Sequence, residues 1–129
     1  HFVCFDGDSA ALMHLGALTT IGKVHPKHYL HIILNNGVHE SVGGQPSAGQ
    51  IVDLTAIASA ASYHTIGRFV DNAEDLEKAV VTLSSLDGPS FIDVHIRKGI
   101  RDRIPNLDVN HEELKNNLMK NLIIENERK

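Results

Sequence analysis

Phe2-Val3-Cys4-Phe5-Asp6-Gly7-Asp8-Ser9-Ala10-Ala11-Leu12, answered by Tyr29-Leu30-His31-Ile32-Ile33-Leu34-Asn35-Asn36-Gly37, is the reading that decides the fold. Phe2 to Phe5 is a short continuous apolar run, the pattern of a strand buried on both faces. Asp6-Gly7-Asp8-Ser9 ends it, and Asp8 or Ser9 can cap the helix that begins there. Over 10–22, Ala11, Leu12, Leu15, Leu18 and Ile21 recur at helical spacing, and Gly22 and Pro26 bound that helix. Residues 29–34 form a second apolar strand, stopped by the turn signal Asn35-Asn36-Gly37. A strand, a helix of this length and a second strand make a βαβ unit, hence a parallel pair.

The pattern continues outward. Residues 38–50 hold Gly43, Gly44, Pro46 and Gly49 and read as a long functional loop. Residues 53–62 are Ala-rich and helical, and 64–70 offer a short strand. Asn72 caps a helix over 73–86, with Asp75 three residues after the cap. Asp87-Gly88-Pro89 stops it. A strand follows over 90–96, where Phe91, Ile92, Val94 and Ile96 carry the apolar pattern. Residues 97–110 are charged and irregular, and 111–127 form a polar helix with Leu114, Leu118, Leu122 and Ile123 on one side. The fold class is α/β, an open, mostly parallel sheet flanked by helices. One domain spans 1–129, with 104–129 as a C-terminal tail and helix.

Composition agrees with this reading and narrows the function. The 129 residues suffice for one core and are too few for two ordinary domains. Hydrophobic residues make up 42%, which excludes a disordered chain. A net charge of −4 argues against nucleic-acid binding, and no apolar run is long enough to span a membrane. The single cysteine, Cys4, cannot form an internal disulfide, so a reducing, cytoplasmic setting is expected; Cys4 itself reads as an inert core thiol. The nine His show no zinc-ligand spacing. The chain opens on His1 directly into an apolar run. It is therefore expected to be an N-terminally truncated piece of a longer protein.

Ligands of open parallel sheets sit at the carboxyl ends of the strands. Two such ends stand out. Gly7-Asp8-Ser9 couples a turn to a helix start, whose free backbone N–H groups favour phosphate. Asn35-Asn36-Gly37 sets an amide oxygen beside a backbone turn. A carboxylate, an amide oxygen, a backbone carbonyl and phosphate oxygens together suit Mg²⁺.

Ser9 and Asn35 enclose 25 residues, and the pair resembles the GDG…NN motif of thiamine-diphosphate (ThDP) enzymes. Leu12-Met13-His14-Leu15-Gly16, the segment 34–46 (Leu-Asn-Asn-Gly-Val-His-Glu-Ser-Val-Gly-Gly-Gln-Pro), Gly88-Pro89 and 96–101 (Ile-Arg-Lys-Gly-Ile-Arg) are similar to the phosphonopyruvate decarboxylase family. The resemblance runs from Phe2 to about Met119, and the segment 34–46 is its specific part.

The resemblance implies a diphosphate-binding domain that works with a pyrimidine-binding domain, the cofactor lying between domains of different subunits of a homo-oligomer. It implies that Asp8 ligates Mg²⁺ by its side chain, Asn36 by its amide oxygen and Val38 by its backbone carbonyl. Gly7, Ser9 and Ala10 would give backbone N–H groups to the diphosphate, and Asn35 would support the loop. The carbon nucleophile and electron sink would be the cofactor's own, and the activating Glu would belong to the pyrimidine domain. This chain alone would therefore not turn over substrate. The implied reaction takes the small 2-keto acid 3-phosphonopyruvate to phosphonoacetaldehyde and CO₂ in phosphonate biosynthesis. One alternative is a sulfopyruvate decarboxylase β subunit; another is a non-catalytic binding module of this fold.

Ser9 replaces the third Gly of GDG. If that position needs positive φ, a serine is strained; if it needs only a helix-entry conformation, Ser9 is harmless, and the latter is expected. His14 either packs under the next layer or lines the cofactor cleft. His39, three residues past Asn36, is the candidate for the substrate side, where a phosphonate dianion would want a donor. Glu40 is either a solvated carboxylate or the partner of His39. Gly43-Gly44 would let the loop close. Arg97, Lys98, Arg101 and Arg103 read as a solvated basic cluster.

Overall fold

A computed structural model describes residues 1–99, 103 and 110–127 of the chain. It divides into a unit of His1–Gly99 and a unit of Ile100–Lys129. The first holds β1 (Phe2–Gly7), α1 (Asp8–Met13), α2 (Gly16–Val24), β2 (Tyr29–Asn35), β3 (Val38–His39), a 3₁₀ turn (Glu40–Val42), β4 (Gln45–Pro46), α3 (Leu54–Ala60), α4 (Ala73–Ser84) and β5 (Pro89–His95).

β1, β2 and β5 form a parallel sheet in that order, with Cys4 beside His31 and His31 beside Phe91. Alternation along the strands splits the core in two. Ile33 and Phe91 face Ala11, Leu18, Leu54, Ala58 and Tyr63, so α1, α2 and α3 cover one side. Leu30, Ile32, Ile92 and Val94 face Val70, Ala79 and Leu83, so α4 covers the other. α4 starts where the sequence indicates: Asn72 Oδ1 accepts from the Asp75 N–H at 2.9 Å.

Four local expectations need correction. The helix over 10–22 is two helices. At His14–Leu15 the bonds tighten to the i−3 pattern, with His14 N–H to Ala11 O at 3.2 Å and Leu18 N–H to Leu15 O at 3.2 Å. Gly16, a poor helix former, follows the break. Apolar spacing survives such a kink, so periodicity alone did not reveal it. Secondly, Gly22 does not end α2; it is buried where the Ala61 carbonyl leaves no room for a Cβ, and the stop is His25 in the left-handed region at φ 51°. Thirdly, β1 is not buried on both faces. It is the outer strand of the described sheet, Phe2, Val3 and Phe5 are exposed, and Cys4 is half-buried rather than a core thiol. Fourthly, 64–70 is not a strand. His64 and Val70 each make a single parallel bridge to β5, and the chain between them bows away through Gly67.

The 38–50 loop contains a small antiparallel ladder, Val38 opposite Pro46 and His39 opposite Gln45. In the second unit, α5 (His111–Glu127) is capped by Asn110, whose Oδ1 accepts from Glu113 N–H at 2.8 Å. Among the described residues, no helix is long and apolar enough to cross a membrane.

Candidate functional site

At the carboxyl ends of β1 and β2 lies a cleft of about 510 Å³. Gly7, Asp8, Ser9, Ala10, Asn36, Val38 and His39, the residues singled out from sequence, all line it, with Met13, Leu34 and Glu40 among its other walls. β1 and α1 deliver the first four, the turn after β2 delivers Asn36, and β3 delivers Val38 and His39. The parallel register of β1 and β2, Gly7 beside Leu34, brings the two turns together.

Neither Asp8 nor Ser9 is the helix cap. Gly7 holds that place in an extended conformation, φ −89° and ψ 151°, and Asp8 is already the first helical residue. Ser9 is helical and absent from the positive-φ residues, so a serine there costs no backbone strain. Its Oγ donates to the Val38 carbonyl at 3.3 Å. A Cβ on Gly7 would meet nothing within 4 Å. The protein does not itself require glycine there, and the bare Cα leaves the cleft open. The Gly7 N–H is spent on Asp6 Oδ1 at 2.9 Å, whereas those of Ser9 and Ala10 lie in the first turn of α1, beyond its internal bonds.

Asp8 is 2% exposed, and its Oδ2 accepts from the Ser47 hydroxyl. Among the described residues no cationic side chain pairs with it. A buried carboxylate so placed is poised for a cation. Asn36 Oδ1 accepts from Val38 N–H at 3.1 Å and its Nδ2 donates to Glu40 Oε2 at 2.8 Å. Glu40 Oε1 accepts from Gly99 N–H at 2.7 Å. Glu40 is thus neither free in solvent nor the partner of His39; it orients Asn36. The oxygens of Asp8, Asn36 and Val38 are the hard donors Mg²⁺ takes, and none of the three is a soft ligand. These residues fit Mg²⁺ and a diphosphate.

His39 is half-buried on the cleft wall, and its ring makes no hydrogen bond among the described residues. His14 is exposed at the end of α1 and does not line the cleft, so it packs under no layer; Met13 takes the wall position. Arg97, Lys98 and Arg103 are exposed, and Arg101 lies outside the described residues.

Three contributors escaped sequence reasoning. Ser47 holds Asp8. Gly49 packs so closely that a Cβ would fall 2.6 Å from Asp8 Cβ and 2.7 Å from Asn35 Oδ1; this crowding, rather than loop freedom, demands the glycine. Asp93, 3% exposed, accepts from Asn35 Nδ2 at 3.1 Å. Burial holds its carboxyl above the usual carboxylate range, against the opposing pull of Asn35 and His95. An acid in the middle of an otherwise apolar strand was the available signal. Asp93 and His95 also line a second cleft of about 330 Å³, with Thr55, Arg68 and Phe69.

Residues 1–94 match the family described as thiamine pyrophosphate enzyme, C-terminal TPP binding domain. The chain is 40% identical over 100 residues to phosphonopyruvate decarboxylase from Streptomyces viridochromogenes, covering 78% of this chain and 25% of that protein. It is 33% identical over 117 residues to sulfopyruvate decarboxylase subunit beta from Methanococcus maripaludis, covering 91% of this chain and 62% of that subunit. The chain therefore spans about a quarter of the former relative and under two thirds of the latter. An X-ray structure from Mycobacterium smegmatis, provisionally titled a thiamin diphosphate-dependent enzyme, superposes with a TM-score of 0.63 at 23% identity, covering 75% of this chain and 18% of that one. That likeness concerns the fold.

Proposed function

This chain belongs to the thiamine pyrophosphate enzymes, as their C-terminal TPP-binding domain, and from that premise we propose that it anchors Mg²⁺ and the diphosphate of ThDP in a decarboxylase of 3-phosphonopyruvate. The observation that carries the reading is the buried Asp8, paired with no cationic side chain among the described residues, sharing one cleft with Asn36 and Val38. Asp8 through its carboxylate, Asn36 through Oδ1 and Val38 through its carbonyl would hold the metal. The N–H groups of Ser9 and Ala10 would hold the diphosphate; Gly7 would serve by leaving space, its own N–H being engaged by Asp6. When bound, the cofactor supplies the carbon nucleophile and electron sink for loss of CO₂. The chain's residues orient it and shape the approach, with His39 on the substrate side. A pyrimidine-binding partner, a domain of the same enzyme or a separate subunit, would supply the other half of the site; with a domain of the same enzyme, the assembly would be a homo-oligomer. The domain is proposed to span 1–129, of which 1–94 match the family.

Identity favours the phosphono branch: 40% and 41% to two phosphonopyruvate decarboxylases, against 31–36% to the sulfopyruvate enzymes. The second reading, a sulfopyruvate decarboxylase β subunit, draws on the longer alignment, 91% of this chain. The two substrates differ in a phosphonate dianion against a sulfonate monoanion. CO₂ release by this domain together with its pyrimidine-binding partner, with Mg²⁺ and ThDP present, separates them. We expect kcat/KM for phosphonopyruvate to exceed that for sulfopyruvate by at least about tenfold. The reverse preference establishes the second reading, and ThDP binding without turnover of either substrate leaves a binding module.

A further inference from the structure

We propose that Asp93, on the strand that carries no part of the motif, is a positioning residue for Asp8, acting through Asn35 and the Ser47–Gly49 turn. The inference rests on the assignment of Asp8 as the metal-holding carboxylate.

The path is continuous. Asp93 Oδ1 accepts from Asn35 Nδ2 at 3.1 Å. The same amide nitrogen donates to Gly49 O at 2.7 Å. Gly49 N–H donates to Ser47 Oγ at 3.1 Å, and Ser47 Oγ donates to Asp8 Oδ2. The ends of β1 and β2, the body of β5 and one turn are tied together, with Asn35 fully buried at 0% exposure in the middle.

Asp93 matters because an amide can face either way. A terminal carboxamide is nearly symmetric in shape, and its orientation is set by its partners. Asn35 Nδ2 has two hydrogens, and both are spent, one on Gly49 O and one on Asp93. Its Oδ1 is buried with no hydrogen-bond partner among the described residues. Solvation alone would not choose this orientation. Asp93 Oδ1 and the Gly49 carbonyl set it together, because each accepts from the same amide nitrogen. Turned over, the amide would set Oδ1 against the Gly49 carbonyl, two acceptors face to face. The turn would then have to move, and Gly49 has no slack: its Cα is packed against both Asp8 and Asn35.

Asp93 is itself held. Its Oδ2 lies 3.3 Å from His95 Nε2, which leaves Oδ1 for Asn35. The His95 ring is stacked on Phe69 with centroids 3.9 Å apart and planes 3° from parallel. Outer groups that orient a ligand in this way commonly change metal affinity by about 10–100-fold when lost.

The test uses the domain with its pyrimidine-binding partner, and Mn²⁺ in place of Mg²⁺, so that metal affinity in the presence of ThDP is read from the Mn²⁺ spin-resonance signal. Asp93→Leu removes the acceptor and is expected to weaken Mn²⁺ binding by about 10–100-fold. Asp93→Asn still offers an acceptor oxygen and is expected to restore affinity to within a few-fold of wild type. Leu83→Ala, a core variant on the opposite face of the sheet, lowers stability and should leave Mn²⁺ affinity alone. Should Asp93→Leu not fold, Ser47→Ala breaks the last link of the same path and is expected to show the same loss. Wild-type affinity in a folded Asp93→Leu, or in Ser47→Ala, overturns the inference while leaving the function intact. Absence of Mn²⁺ binding in the wild type overturns the metal assignment and the inference with it.

Discussion

Ser9 occupies a place where the motif has glycine, and the structure explains why it is tolerated: the position is helical, so the lost freedom is never used. His39 is the residue whose role is most open to measurement. It lines the cleft, lies outside the oxygen donors, and its ring makes no hydrogen bond among the described residues. His39→Asn is expected to lower kcat/KM for the 2-keto acid by roughly ten- to a hundredfold, the worth of one charge-assisted hydrogen bond, and to leave ThDP affinity nearly unchanged. Steady-state kinetics beside a ThDP titration read both. A large loss of cofactor affinity, or an unchanged kcat/KM, removes His39 from the substrate side. Residues were legible in sequence where chemistry and spacing coincide, as for Asp8 and Asn36. They were illegible where the role is to hold another residue. Ser47 and Gly49 read only as part of a long functional loop, and Asp93 as one polar residue in a strand, because their partners lie 39, 14 and 58 residues away in sequence.

At the scale of elements, type was legible and environment was not. An apolar run such as Phe2 to Phe5 marks a strand, but only the sheet order shows that nothing among the described residues flanks its outer edge. The kink between α1 and α2 leaves apolar spacing intact and so left no trace in it. The β1–β2 pair carries a consequence of its own. His31 is buried between Tyr29 and Phe91, with neither ring nitrogen hydrogen-bonded among the described residues, and Asp6 Oδ2, at 3.8 Å, is too distant to satisfy it. Burial lowers its pKa below the ordinary 6.5, and the nearby Asp6 only partly offsets this. The unfolded chain therefore takes up this proton at a higher pH than the folded one. Its effect is absent above about pH 6.5; stability falls as the pH drops below that value, by at most about 1.4 kcal/mol per pH unit, until the folded-state pKa is passed. Thermal unfolding from pH 8 down to 5.5 should show a steeper fall in Tm for wild type than for His31→Phe. Parallel curves would mean that His31 is already paired or solvated.

For the molecule as a whole, the cleft carries exposed apolar side chains on its walls: Met13 and Val42 stand there at 68% and 69% exposure. Exposed apolar side chains at a cleft are what a covering surface would bury, and the proposed function predicts such a surface. α5, in the other unit, shows Leu114, Leu118 and Leu122 exposed along one side, four residues apart, as its sequence spacing indicates. The central claim is that Asp8 holds the metal through which the diphosphate is anchored, and calorimetric titration of ThDP into the domain with its pyrimidine-binding partner tests it most directly. With Mg²⁺ present, wild type is expected to bind ThDP at one site per cleft. A chelator that strips the metal should abolish that binding, and Asp8→Ala should abolish it with Mg²⁺ in place, since a site with so few protein ligands cannot spare its only carboxylate. ThDP binding that survives the chelator, or persists unchanged in a folded Asp8→Ala protein, would contradict the account.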